Sequence, residues 1–149
     1  MKKTVLALSI VTATAVAAFA ADDPIAARKA IMQGNGAAAG VTAGMMKGEI
    51  AYNPAAAKLA IASLNAAAMT FGDYFPEGSD MGADTTASPK IWEDPEGFKA
   101  ELAKFQSAAG AAMQASGKAG PADLDAFKAA MGPVLGTCKS CHEGYRVKN

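Results

Sequence analysis

The fold is decided by residues 124–145, whose sequence is LDAFKAAMGPVLGTCKSCHEGY. Apolar positions along it step alternately by three and four residues: Leu124, Phe127, Met131, Val134, Cys138, Cys141 and Tyr145. Alternating steps of this kind keep side chains on one face of an α-helix, and a seam this long is typical of four-helix bundles. We place the start of the helix at Pro121. Because Pro133 lacks a backbone N–H, we expect the helix to kink or split there.

A first helix is predicted near the start of the chain, from about Pro24 to Lys47. Asp23 is a suitable N-cap, and Pro24 takes the first helical position, where a missing N–H costs nothing. Four glycines lie within this segment: Gly34, Gly36, Gly40 and Gly44. Each glycine weakens a helix by roughly 1 kcal/mol relative to alanine. Either this helix is broken, or the glycines let a bulky group approach its backbone.

Two more helices are predicted in the middle of the chain, separated by a long loop. The second helix starts at Asn53-Pro54, and one of its faces is apolar: Ala57, Ile61, Leu64, Ala68, Phe71 and Phe75. The loop from Pro76 to about Glu93 is rich in Gly, Pro, Asp, Ser and Thr. The third helix opens at Asp94-Pro95, ends at Gly117 and Gly120, and has its own apolar face: Phe98, Leu102, Phe105, Ala109 and Ala112. Four helical segments and no strand pattern predict an all-α four-helix bundle.

The composition agrees with a single helical domain. Alanine fills 37 of the 149 positions and aromatic residues only 7%, which is poor for β-sheets and rich in the best helix former. Lys plus Arg and Asp plus Glu number 14 each, so the chain lacks the basic excess of a nucleic-acid-binding protein. The 51% hydrophobic content excludes a disordered chain, and two cysteines are too few for a disulfide scaffold.

The chain opens with the layout of a secretory signal peptide, residues 1–20. Two lysines form a basic start, and the run from Val5 to Phe19 carries no charge. We expect cleavage after Ala20, which leaves a mature domain of residues 21–149 with 12 positive and 14 negative charges, in the periplasm. An uncleaved anchor is the alternative, although the apolar run is short and rich in Ala and Thr. No other segment is judged long and apolar enough to cross a bilayer, so no membrane is expected in the mature form.

Both cysteines and the only histidine fall in one pentapeptide, Cys138-Lys139-Ser140-Cys141-His142. This C-x-x-C-H pattern is the covalent attachment site of c-type haem. Residues three apart share a helical face, so both thiols can reach the two vinyl groups on one porphyrin edge. His142 can then turn its imidazole toward the iron. We predict one covalently bound haem c.

Three other interpretations of the pentapeptide are weaker. A thioredoxin-like pair expects a βαβ context, which this chain does not show. A zinc site needs a fourth ligand, and no further Cys or His exists. A chance occurrence would have to use all of the cysteine and histidine in the chain. Haem is also favoured by export, because c-type attachment takes place outside the bacterial cytoplasm.

Any sixth iron ligand must come from upstream of the motif. A second histidine does not exist, methionine is the usual remaining side chain, and no Met follows His142. Seven methionines lie in the mature chain: Met32, Met45, Met46, Met69, Met81, Met113 and Met131. Met131 is on the same helix as His142, about 16 Å away along the axis, and should not reach the opposite haem face.

The other methionines are weighed by position. Met69 and Met113 look like ordinary bundle positions, where Met is a gap filler. Met81 in the long loop stays open as a ligand. Met32, Met45 and Met46 lie on the glycine-bearing first helix, and Met32 directly precedes the Gln-Gly-Asn-Gly stretch of residues 33–36. A flat macrocycle against that stretch would explain both features.

Over essentially the whole mature chain, the sequence resembles the class II c-type cytochromes, the cytochrome c′ family. The resemblance is carried by the C-terminal CKSCHEGYR of residues 138–146, by SPKIW of residues 88–92, and by Arg28 four residues before Met32. It implies an antiparallel up-down-up-down bundle. It also implies that the family's distal iron position falls on Met32. The surrounding residues 31–36, together with Met131-Gly132-Pro133 in the last helix, look more like the low-spin branch, in which a first-helix methionine ligates the iron, than the high-spin branch.

The resemblance also suggests roles for three other residues. Arg28 matches an arginine near a haem propionate, and its alternative is a solvated surface cation. Trp92 matches a loop aromatic near the haem edge, and its alternative is core packing for the loop. Arg146 could tune the iron potential from beside His142, or serve as a cation favoured at the helix C-terminus.

The leading functional hypothesis is a periplasmic electron carrier, not an enzyme, with low-spin iron held by His142 and Met32. Its partners would be redox proteins that meet an exposed haem edge, with no nucleic acid involved. The alternative is a high-spin protein that binds nitric oxide or carbon monoxide at an open distal face, with Met32 packing over the iron. A metal-storage bundle is disfavoured, because the Glu-x-x-His motifs of such proteins are missing. Relatives often dimerise through their first two helices, and the small residues 37–40 would permit such contact.

Overall fold

A computed structural model describes residues 23–82 and 84–147. The predicted signal peptide and its cleavage site lie outside these residues. Within them the chain forms four long helices: α1 (Pro24–Lys47), α2 (Pro54–Thr70), α4 (Pro95–Ala115) and α5 (Leu124–Tyr145). A 3₁₀ turn, Phe71–Tyr74, prolongs α2, and a single helical turn, α3 (Lys90–Glu93), precedes α4. The prediction of an all-α four-helix bundle is confirmed.

Each long helix begins at a side chain that accepts backbone hydrogen bonds from its first turn. These N-caps are Asp23, Asn53, Asp94 and Asp123. The predicted starts of α1, α2 and α4 are confirmed, because an Asx-Pro pair marks each of them. The predicted start of α5 at Pro121 is wrong. The Asp123 carboxylate accepts from the Ala126 N–H at 2.8 Å, so the helix begins at Leu124.

The last helix continues through Pro133, so the expected split does not occur. A proline at this position leaves the carbonyl of Ala129, four residues earlier, without its helical donor. Both Ala129 and Pro133 are exposed. Water can therefore satisfy that carbonyl, and the seam on the opposite face stays in register from Phe127 to Tyr145.

The glycine-bearing first helix is also unbroken. A β-carbon added at Gly34, Gly36 or Gly40 would meet nothing within 4 Å, whereas one at Gly44 would collide with the side chain of Ile50. Of these four glycines, Gly44 is thus the one that another side chain approaches closely. The other three leave open space along the helix, and Gly36 borders the cavity described below.

The long helices close into a ring, with α1 against α2, α2 against α4, and α5 against both α4 and α1. Fully buried side chains at the centre include Met45, Ile61, Leu64, Phe127 and Met131. A second, smaller cluster of Ile91, Phe98 and Tyr145 lies beneath the long loop. The loop was predicted as irregular up to Glu93, but its last four residues form α3, which inserts Ile91 into that cluster.

One helical segment, Pro54–Tyr74, is long and apolar enough by length and composition to cross a membrane. We expected no such segment after the signal peptide, and by length and composition that expectation is wrong. In the bundle this segment buries Ala57, Ile61 and Leu64 against the other helices. Its opposite side exposes Leu59 and Met69, which are 72% and 64% accessible. Met69 is therefore no core gap filler.

Candidate haem site

A cavity of about 540 Å³ opens between α1, α4, α5 and the long loop. The C-x-x-C-H residues line it from α5, and Met32 lines it from α1. Its apolar wall is largely aromatic: Phe71, Phe75, Phe98 and Phe105. The structure therefore brings Cys138, Cys141, His142 and Met32 to one cavity, although α1 and α5 stand at opposite ends of the chain.

Helix α5 presents both cysteines from one face. Both are free and half-buried, and the Cys138 thiol lies 3.7 Å from the Val134 carbonyl oxygen. Burial raises the pKa of Cys138, and burial together with the nearby Glu101 and Cys138 raises the pKa of Cys141 to about 11. Both groups are therefore neutral thiols at pH 7 in this fold.

His142 follows Cys141 directly and lines the same cavity. Partial burial and, secondarily, the charge of Arg146 lower the pKa of the imidazole below its ordinary value. The neutral form, which has a nitrogen lone pair available for a metal, is thereby favoured. Arg146 also lines the cavity, and its side chain is exposed.

Met32 differs from every other methionine in the described part of the chain, because it alone lines the cavity. Met45 and Met131 are fully buried in the central core, and Met46 and Met113 pack against it. Met69 and Met81 are exposed, at 64% and 79%. Among the described residues, the other methionines that the sequence left open as iron ligands therefore do not line the cavity beside His142.

Arg28 is buried and makes three hydrogen bonds to the start of the long loop. Its guanidinium donates to the Tyr74 carbonyl at 3.0 Å, to the Ser79 hydroxyl at 2.9 Å and to the Ser79 carbonyl at 2.7 Å. It also lies 4.8 Å from the centre of the Phe75 ring. Burial lowers the pKa of Arg28, and the charge of Asp23 partly offsets this. The surface-cation interpretation is therefore wrong, and Arg28 fastens the loop to α1 at the edge of the cavity.

Trp92 does not line the cavity. Its indole N–H donates to the Pro76 carbonyl at 3.2 Å, and its ring lies 6.0 Å from that of Phe75. The guanidinium of Arg28 is 5.7 Å from the Trp92 ring centre. These contacts are those of a side chain that packs the loop, which was the alternative interpretation of this residue.

The loop is joined to the end of α5 by two backbone hydrogen bonds. The Ser88 N–H donates to the Tyr145 carbonyl at 3.0 Å, and the Val147 N–H donates to the Thr86 carbonyl at 2.9 Å. The Tyr145 hydroxyl donates to Asp94, the N-cap of α4, at 2.9 Å. The loop wall of the cavity is therefore held directly beside the C-x-x-C-H turn.

Sequence reasoning missed the carboxylate of Glu101, the one acidic side chain among the cavity-lining residues. Glu101 accepts hydrogen bonds from Lys104 and from the Ser140 hydroxyl, the latter at 2.7 Å, and these lower its pKa. Ser140 lies inside the C-x-x-C-H motif, so this bond joins α4 to the haem-attachment turn. The only sign of this role in the sequence was that the glutamate lies at the border of the apolar helix face that includes Phe98 and Phe105.

The residues present fit a covalently attached haem. Two free thiols at helical spacing, an adjacent neutral imidazole and a large, mostly apolar cavity are what such a group requires. A sequence profile described as Cytochrome C′ matches residues 23–146, which is nearly all of the described chain.

The chain belongs to the cytochrome c′ family. A cytochrome c′ from Rhodopseudomonas palustris is 41% identical over 131 residues, covering 88% of this chain and 86% of that protein. A cytochrome c-556 from Agrobacterium fabrum is 32% identical over 146 residues, covering 98% and 96%. A solved structure of cytochrome c′ from Rhodopseudomonas palustris matches with a TM-score of 0.76 at 40% identity, covering 85% of this chain and 98% of that one.

Membership of the cytochrome c′ family has three consequences. These are non-enzymatic haem proteins, which agrees with the prediction that the chain is not an enzyme. The two motif cysteines near the C-terminus imply covalent haem c. The family is periplasmic.

Proposed function

We propose that this protein is a periplasmic electron carrier whose low-spin haem iron is ligated by His142 and Met32. The observation that carries the proposal is that Met32 is the one methionine among the cavity-lining residues, in the same cavity as His142, Cys138 and Cys141. Cleavage after Ala20 and release into the periplasm belong to the same proposal.

The bound haem c supplies a one-electron Fe(III)/Fe(II) couple. The residues of this chain hold and shield that couple. Cys138 and Cys141 fix the ring to α5, while the phenylalanine wall excludes water and lowers the local dielectric. A thioether ligand and burial both raise the potential of the iron. Two side chains placed on packed helices let the iron change oxidation state with little rearrangement.

Substitution of Met32 tests the proposal on the full haem-loaded protein. We expect the wild type to give a low-spin ferric spectrum with a weak far-red Met–Fe(III) band, unmoved by carbon monoxide in the ferrous state. Met32→Ala should become high-spin and bind carbon monoxide, because the sixth position is then open. Met69→Ala, which truncates an exposed methionine on α2, is the control and should keep the wild-type spectrum. A high-spin wild type that binds the gas would overturn the proposal.

One observation favours the high-spin alternative. The relative named cytochrome c′ is 41% identical to this chain, whereas the cytochrome c-556 of Agrobacterium fabrum is 32% identical. On this alternative, the distal face binds nitric oxide or carbon monoxide and Met32 packs over the iron without a bond. The same spectra decide between the two functions.

We further propose that the carrier meets redox proteins at the cavity mouth and forms a homodimer through α1 and α2. Support for the dimer comes from apolar side chains left exposed on these helices: Val41, Leu59 and Met69. Ala37 and Gly40 are also exposed on α1 and leave room for a close helix contact. No nucleic acid or membrane is involved in this proposal.

A further inference from the structure

Asn35 lies one helical turn beyond Met32 on α1. Its side-chain nitrogen is 4.0 Å from the Met32 sulfur, within reach of an N–H···S hydrogen bond. Both residues are half-buried and both line the cavity. Because they are three residues apart, the helix itself holds the two side chains on neighbouring positions.

The sequence around Asn35 does not favour a helix. Gly34 and Gly36 flank it, and a β-carbon at either position would meet nothing within 4 Å. Asparagine and glycine are both poor helix formers, so a Gly-Asn-Gly sequence in mid-helix lowers the stability of α1. An amide in a largely apolar cavity wall also needs a hydrogen-bond partner. The partner that the structure offers is the thioether of Met32.

We propose that Asn35 is a positioning residue for the methionine ligand. A thioether sulfur has two lone pairs, so one can face the iron while the other accepts the amide N–H. The hydrogen bond from Asn35 fixes the rotamer of Met32 and draws electron density from its sulfur. A weaker sulfur donor stabilises ferric iron less than ferrous iron, so the amide raises the midpoint potential. This inference rests on the proposed ligation by Met32.

The test is the midpoint potential of haem-loaded, full-length variants. Asn35→Leu removes the donor and keeps the number of side-chain heavy atoms, and we expect a three- to tenfold shift of the Fe(III)/Fe(II) equilibrium toward ferric. That corresponds to a potential about 28 to 59 mV lower, at 59 mV per tenfold for one electron. Asn35→Asp keeps the shape but loses the donor, and its potential should fall at least as far. The far-red Met–Fe(III) band should shift in both variants.

Gln114→Leu is the control, because it removes an exposed side-chain amide from α4, where the residue does not line the cavity. Its potential should equal that of the wild type. In a Met32→Ala background, Asn35→Leu should no longer change the potential. A low-spin wild type whose potential is unchanged by Asn35→Leu overturns this inference alone. A high-spin wild type overturns the proposed function and this inference with it.

Discussion

At the scale of single residues, the site contains groups of two kinds. Cys138, Cys141, His142 and Met32 could be predicted because local signals mark them, namely a five-residue motif and a methionine beside glycines. The partners of Arg28 could not, because they lie 46 and 51 residues away along the chain. The Glu101–Ser140 bond spans 39 residues and was missed for the same reason. Local spacing does not carry information on such contacts.

Arg28→Met tests the role of the buried guanidinium. The change removes the donor from the half-buried Tyr74 carbonyl and from the buried carbonyl and hydroxyl of Ser79, so we expect the free energy of unfolding to fall by about 2–4 kcal/mol. Urea denaturation followed by circular dichroism measures it. Lys47→Met, which removes an exposed cation from the same helix, should cost less than about 1 kcal/mol. Equal losses in the two variants would show that Arg28 does not fasten the loop.

At the scale of elements, Asx-Pro pairs predicted where α1, α2 and α4 begin, because N-capping is chemistry within one turn. Two findings about α5 concern prolines. Pro121 lies before the Asp123 cap rather than at the helix start, and Pro133 is tolerated on the exposed face. Whether a proline splits a helix depends on whether the carbonyl that it leaves without a donor faces solvent or the core. That orientation depends on the packing of the whole bundle.

The turn between α4 and α5 offers a test of element geometry. Gly120 has φ +100°, and a β-carbon there would collide with the carbonyl of Pro54 at the start of α2. We expect Gly120→Ala to lower the free energy of unfolding by at least about 2 kcal/mol. Gly136→Ala, in the interior of α5 with open space around it, should instead raise it by about 0.5–1 kcal/mol. Thermal and urea unfolding measure both, and a stable Gly120→Ala protein would contradict the argument.

At the scale of the whole molecule, the exposed apolar face of α2 predicts self-association. Leu59 is 72% accessible, and an isologous dimer would bury two copies of it. Leu59→Glu should therefore weaken the dimer by about tenfold or more, because burying a leucine contributes roughly 1.5–3 kcal/mol. Sedimentation velocity over a range of concentrations measures this. Met81→Glu, an equally exposed change in the loop, is the control, and a wild type that is monomeric throughout would refute the dimer.

The cavity is walled by the first and the last long helix, and this has a consequence for folding kinetics. Roughly a hundred residues separate Met32 from Cys138. Contacts between residues so far apart in sequence close a long loop, so the chain loses the corresponding conformational entropy before the two walls meet. The thioethers attach the haem to α5, and the Met32–iron bond would link the haem to α1 as well. In denaturant, the visible absorption of the haem would then report unfolding of the whole bundle rather than fraying of single helix ends. Stopped-flow absorbance and far-UV circular dichroism should accordingly give the same unfolding rate.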